Sequence, residues 1–563
     1  MIDRDIHLAK ALLVESNAML RSVAAGQLRD LGIGQVNNAS RVKDARLLLE
    51  REHFDIVICN REFEGSDYSG QDLLDELRRE NLLPHSTVFL MVVQQATYNQ
   101  VMEAAEAALD GFLVRPFTTA VLGSRLLEAR NRKRELGDLL RALDAGQTEV
   151  ALVKAIKRFQ DQQPYWLYCG RLAAELLLTL QRPDDARKIF ERLLQSKPGA
   201  GWAKLGVARA QIAAGDTGPA RKTVAEVLAG DPGSADAHDL MGRILVEQCD
   251  FDGALAEYRA AAEATPGCLL RAQHAGALAF YQGQAAEALK YLERTLSLGV
   301  QSKLFDALTL LLITMLRYDR GDVVGVAAMR EQLKRFCERF PDSRRLSKLE
   351  QAAAALQALL GKQQAQGIET IQALAADADD PRFDLESANM LLALWSRVPD
   401  ALRPAADYEV LLQKTTLRFS VSKAIAEVLV ASVGRAEPGV GIIRRGQARI
   451  AAVGERAMEL SLAGQPADAA QLLLVEGEKT GNAKLLEMAA QIARRQKINP
   501  KQDAPAAGWA DALAERAAAA LKHHCPAANH IAGFQRSGRS PGGLQLRGVQ
   551  AAPAPPTVTA DAA

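Results

Sequence analysis

Aromatic residues account for only 5% of the 563 positions, while hydrophobic residues reach 48%. A core is therefore available, but not one assembled around large rings. Long runs of Ala, Leu, Gln, Glu, Lys and Arg favour helices packed through small side chains. Cysteine is sparse too: Cys59, Cys169, Cys249, Cys268, Cys337 and Cys525 are scattered without a C-x-x-C pair. That leaves no disulfide framework and no zinc motif to read. No apolar run reaches the roughly 18 residues that a membrane-spanning helix needs. The opening MIDRDIHLAKALLVES is charged and lacks the apolar stretch of a secretory signal, so a cytoplasmic location is expected. Neither sign of charge is in excess. Lys plus Arg total 69 against 68 Asp plus Glu, a net charge of +1, which offers nothing global to nucleic acid or an anionic membrane. G-x-x-x-x-G-K-[ST], G-x-S-x-G, H-E-x-x-H and a converging carboxylate pair are all missing, so no catalytic activity is expected.

The length exceeds what one core can serve, and the chain reads as two regimes. In the first, short apolar runs alternate with amphipathic stretches. The runs are Ala11–Val14, Gln35-Val36, Asp55–Cys59, Val88–Val92 and Gly111–Val114; helix-like segments lie near 17–31, 41–52, 70–80, 97–108 and 118–143. Strict β–α alternation predicts a five-stranded parallel sheet covered on both faces, with its working site at the carboxyl ends of the strands.

From about residue 147 the strand signals stop and a period begins. Ala186, Ala220, Ala254 and Ala288 recur every 34 residues, as do Phe190, Val224, Tyr258 and Leu292, and the small residues Ala174, Ala208, Gly242 and Gly276. Pro198, Pro232 and Pro266 close the first three units, whereas Val300 stands where the fourth would have Pro. Two antiparallel helices per unit explain the columns: small residues allow close approach, the larger residue plugs the gap to the next unit, and Pro stops the helix. Beyond 302 the helical pattern continues without the strict period, through a pair at Asp306–Arg317 and Val323–Arg339 and a later unit marked by Ala457, Ala469 and Leu473. An Ala-rich helix at 508–522 follows a polar break. The tail from Cys525 to Ala563 lacks the apolar density to order itself.

The repeat columns resemble the tetratricopeptide (TPR) consensus, clearest over 167–302. The N-terminal pattern resembles the response-regulator receiver family over roughly 9–130. The expected division is a receiver-like domain at 1–128, a connector helix at 129–146, a TPR solenoid at 147–302, divergent TPR-like hairpins at 303–495, a linker with one helix at 496–524, and a disordered tail at 525–563. Fold class is thus a flavodoxin-like α/β domain followed by an all-α solenoid.

The receiver resemblance implies two acidic residues holding magnesium after the first strand and a phospho-acceptor Asp ending the third. It also implies Ser or Thr ending the fourth strand and Lys-Pro after the fifth. Here the first pair is Glu15-Ser16, the acceptor position is Asn60, the hydroxyl position falls on Val92, and Arg115 precedes Pro116. An amide has no anionic oxygen with which to attack phosphorus, and Val cannot hydrogen-bond a phosphate. These residues read as a degenerate phospho-acceptor pocket, a pseudo-receiver, with no cofactor unless the pocket still holds magnesium. Glu15 reads as a surface loop carboxylate and Arg115 as its partner or that of Asn60; Glu62, Glu64 and Asp67 are the neighbouring carboxylates that could substitute as acceptors.

The TPR resemblance implies a concave face lined by the first helix of each unit. The register places Tyr168, Arg171, Trp202, Arg209, Arg243, Gln273 and Phe280 there. Aromatics beside arginines suit a protein-binding hot spot. The competing reading makes Tyr168, Trp202 and Phe280 inter-repeat packing, with Arg209 and Arg243 left to face a ligand. Arg130, Arg132, Lys133 and Arg134 read as a solvated helix face, and His523, His524, Cys525 and His530 fit no structural zinc spacing. The architecture resembles that of TPR-containing response regulators. It points to a non-enzymatic signalling adaptor of two-component type, holding proteins through both halves, with homodimerisation through the receiver fold as one use of it. A phosphorelay component with another acceptor and a passive assembly scaffold are the alternatives.

Overall fold

Five short strands build the N-terminal sheet: β1 (Lys10–Val14), β2 (Gln35–Ala39), β3 (Ile56–Asn60), β4 (Val88–Val93) and β5 (Gly111–Val114). They pair in parallel in the order β2-β1-β3-β4-β5. In β1, β3 and β4 the apolar runs are continuous because both faces are covered, and every residue of β4 is buried; the edge strand β2 is largely polar. Helices α1 (Ala18–Asp30), α2 (Val42–Arg51) and α3 (Gly70–Arg79) follow β1, β2 and β3. Asn17 caps α1 by accepting hydrogen bonds from the N–H groups of Met19 and Leu20. Leu28 of α1 shares a core with Leu13, Ile58, Leu90 and Leu113 from the strands and with Leu122 and Leu126 from the helix Thr119–Glu135.

The computed structural model describes residues 5–63, 69–79, 82–94, 110–300, 302, 304–361, 363–434, 436–498 and 507–524. The expected helix at 97–108 and the tail 525–563 lie outside them. Two compact units emerge: one comprises residues up to Ile244 with Asp252–Ala275 and Arg294–Phe305, the other Leu245–Phe251, Gly276–Glu293 and the chain from Asp306 on.

In the first unit the single helix expected over 118–143 is divided at Leu136 into Thr119–Glu135 and Gly137–Asp144. Gly137 is a poor helix residue, and the turn lets Leu136, Leu139 and Leu140 enter one core with Leu152, Phe159, Cys169 and Phe190. The segment is thus part of the repeat core and not a free connector. Two members of the basic run are corrected in the same way, whereas Arg134 is exposed as expected. Arg132 is buried, stacked 4.7 Å from the Tyr168 ring, and Lys133 Nζ lies 3.1 Å from the buried Asp110 carboxylate.

Helix pairs follow at Trp166–Thr179 with Pro183–Ser196, Gly201–Ala214 with Thr217–Gly230, and Ala235–Glu247 with Phe251–Ala264. Ala186, Ala220 and Ala254 are fully buried where the pairs touch. Phe190 plugs the next unit: a Cβ on Gly206 would lie 2.4 Å from its ring. Tyr258 fills both gaps, leaving no room for a Cβ on Gly242 of its own unit and lying 5.7 Å from the His274 ring of the next. Burying such a side chain stabilises by roughly 1.5–3 kcal/mol.

In the second unit the pair Leu308–Asp319 and Val323–Arg339 matches expectation, and Gly439–Leu462 with Pro466–Thr480 buries Ala457, Ala469 and Leu473 together. The last helix, Ala507–His524, contributes Ala517 and Leu521 to that same core. Between them the strict period gives way to buried polar links. Arg345 holds both Asp306, at 2.6 Å, and Glu386, and Ser432 Oγ donates to Asn389 Oδ1 at 2.7 Å.

Candidate functional site

The carboxyl ends of β1, β3, β4 and β5 bring the sequence-predicted pocket residues to one edge of the sheet. Glu15 follows β1 and is 2% exposed, which corrects its reading as a surface carboxylate. Both of its oxygens are engaged: Oε1 accepts the Asn17 N–H at 2.9 Å, and Oε2 is paired with the Arg115 guanidinium. Arg115 reaches it from beyond β5, held by its own N–H donating to Val93 O at 3.0 Å. A second guanidinium closes the β1 end, with Arg21 Nη1 donating to the carbonyls of Glu15 at 2.6 Å and Ser16 at 3.2 Å. Arg21 and Asn17 escaped the sequence reading; an Asn just ahead of a helix was the available signal.

Asn60 closes β3 and turns back on its own loop, its Nδ2 donating to Glu62 O at 2.7 Å. Cys59 beneath it is buried, and that burial pushes its thiol well above the usual range. Val92 pairs in register with Asn60, but its side chain belongs to the apolar core. β4 continues to Val93, so the strand-terminal position is Val93 and the reading was one residue early. Both are valines, and no hydroxyl stands there. Glu62 is exposed, whereas Glu64 and Asp67 lie outside the described residues.

A family model for the response regulator receiver domain matches residues 11–127. The chemotaxis protein CheY-3 of Vibrio cholerae is 34% identical over 117 residues, which is 21% of this chain and 88% of that protein. This chain belongs to the response regulator receiver family. The chemotaxis protein CheY of Pseudomonas aeruginosa is 33% identical over 117 residues, covering 92% of its own length and 21% of this chain. A tetratricopeptide repeat model matches residues 177–244. A tetratricopeptide repeat protein from Parabacteroides merdae covers 51% of this chain and 99% of its own at 12% identity and a TM-score of 0.34. The chain therefore joins a receiver domain to protein-interaction repeats, modules that are regulatory and generally non-catalytic. Among the described residues no helix is long and apolar enough to cross a membrane, and no three His, Cys, Asp or Glu residues cluster as metal ligands.

The residues predicted to line a repeat groove divide by depth. Tyr168 and Gln273 are buried, so they serve packing and not a surface; the 34-residue register gives a helix face but not how deep a side chain sits. Arg171 stacks on Trp202 at 4.7 Å, and Arg209 grips Glu175 at 2.9 Å. All four are partly exposed, as is Arg243. In the second unit Phe280, also partly exposed, has the Arg397 guanidinium 5.9 Å from its ring and meets Tyr281 edge-on.

Proposed function

We propose that this protein is a signalling adaptor whose receiver domain works without phosphorylation and whose repeats hold a protein partner. The observation that carries the reading is the Glu15–Arg115 pair. An acyl-phosphate site needs an acidic nucleophile, a divalent cation and a free cationic group for the product. Here the nucleophile position is an amide, and the cationic residue is already spent on the one carboxylate left to hold a metal. Arg21 adds a second cation at the same edge. Magnesium does not fit this arrangement: its hard oxygen ligands would be one carboxylate, doubly engaged, beside a neutral Ser16 and Asn60.

Met19 and Val23 of α1 and Val121 of the neighbouring helix are each about half exposed or more, at 76%, 56% and 46%. Apolar side chains grouped on adjacent elements suit contact with another protein or a second copy. On the repeats, Arg171 with Trp202, and Arg209 and Arg243, supply the aromatic and guanidinium groups of a binding face. The partner class that fits is protein, not nucleic acid, and the place of action is the cytoplasm.

Intact-mass spectrometry of the full chain with acetyl phosphate, with and without magnesium, tests this. No adduct in either condition is the expected result. A magnesium-dependent, hydroxylamine-labile adduct would overturn it and place the acceptor on another carboxylate such as Glu62.

A further inference from the structure

Charged residues on α2 and α3 are buried against the repeat region. Arg46 and Glu50 stand four residues apart, on one face of α2, and are 2% and 5% exposed; Glu76 of α3 is 2% exposed. Arg46 Nη2 and Glu76 lie 3.0 Å apart, bridging the two helices. What covers them is the repeat region of the same unit. Arg46 donates to Gly267 O at 3.2 Å, Cys268 Sγ approaches Glu76 Oε1 at 4.0 Å, and the Ser302 hydroxyl donates to Glu50. At the rim Lys43 Nζ donates to Ser297 O at 2.8 Å. A Cβ on Gly299 would come 3.6 Å from Arg46 Nη1.

We propose that this is a releasable latch: the α2–α3 face of the receiver is a docking surface occupied in cis by Gly267, Cys268, Ser297, Gly299 and Ser302 of its own chain. The chemistry favours release over permanence. The set is one buried ion pair, Arg46 with Glu76, beside a buried Glu50 held by the Ser302 hydroxyl, and desolvating such a set offsets most of its attraction while still fixing a single register. Interfaces of this polar kind between domains of one chain open more readily than apolar ones.

The latch is also tied to the pocket. α3 begins at Gly70, whose N–H donates to Arg61 O at 2.8 Å. A Cβ there would lie 2.2 Å from Asn60 O and 2.7 Å from Cys59 Sγ, so the helix abuts the end of β3 without slack. A protein partner that reshapes the Asn60–Glu62 turn therefore moves α3, and with it Glu76. While latched, the α2–α3 face is closed to outside proteins; a partner that binds either covered surface draws the population open. This holds whether or not the receiver is ever phosphorylated.

Hydrogen–deuterium exchange of the full chain tests it across the contact. Ser302→Asp, on the repeat side, sets a carboxylate against Glu50 and is expected to speed exchange in residues 42–51 by at least about tenfold. Arg46→Glu, on the receiver side, is expected to speed exchange in 294–302, and adding Glu76→Arg is expected to restore protection. Faster exchange confined to the mutated side overturns the latch. If Arg46→Glu unfolds the sheet, seen as lost protection in β1 and β3, the Ser302→Asp result alone decides.

Discussion

Arg209 grips Glu175 across an interval of 34 residues, one repeat, with Nη1 2.9 Å from the carboxylate. The link ties the first helix of one unit to the first helix of the next. Both side chains are about one-third exposed, at 36% and 33%, so water and salt screen the pair. Glu175→Ala is therefore expected to cost no more than about 1 kcal/mol in urea denaturation, with the loss shrinking as salt rises. A cost of several kcal/mol would mean that the pair is shielded by something else.

The close approach at Gly206 makes a sharper prediction. Its Cβ would lie 2.4 Å from the buried Phe190 ring, which has nowhere to move. Gly206→Ala is expected to destabilise by about 1–3 kcal/mol. Gly218→Ala, in a helix where a Cβ meets nothing within 4 Å, should stay within about 0.5 kcal/mol of neutral or stabilise. Equal effects at both sites would dismiss the plug.

Arg345 faces two buried carboxylates, Asp306 and Glu386, and one guanidinium neutralises only one of them. Replacing it with Met should cost about 3–5 kcal/mol, read from the shift in urea midpoint. Burial holds the Glu386 carboxyl above its ordinary range, against the pull of Arg345. Its contribution to stability is fully present below the unfolded-state value and is lost as pH rises through the higher folded-state value. The stability of Glu386→Gln relative to wild type should thus improve with rising pH from the carboxylate range upward. A difference that moves the other way would place the extra proton elsewhere.

Restoring the acidic nucleophile alone is not expected to restore phosphorylation. Asn60→Asp leaves Glu15 paired with Arg115 and no hydroxyl at Val93. Incubated with acetyl phosphate and magnesium, that variant should show no adduct by intact mass. Adduct formation would mean that the Glu15–Arg115 pair opens freely for the ion.

The central strands were legible because a sheet covered on both faces demands unbroken apolar runs there, and the repeats because their spacing survives in four residue columns. Depth was not. The pairing of Arg115 with Glu15, 100 residues away, followed from the receiver pattern as one of two options, but nothing near Glu15 in sequence announces that its carboxylate will be enclosed and not at the surface. Tyr168 and Gln273 lie on the predicted helix faces yet sit below the surface. The division at Leu136 escaped because one glycine, Gly137, is a weak breaker until neighbouring apolar side chains find a core to enter. The slip from Val93 to Val92 came from placing a strand end by composition where two valines are adjacent.

Phe190 fits a hole in the following unit, and Tyr258 spans its own unit and the next. Each such contact repeats the previous one with different atoms. A duplication of one whole 34-residue stretch would insert a unit that arrives with both its plug and its socket, needing no new partner to evolve. Array length is therefore heritable in steps of one repeat, and the reach of the protein can change in evolution without redesign of its interior.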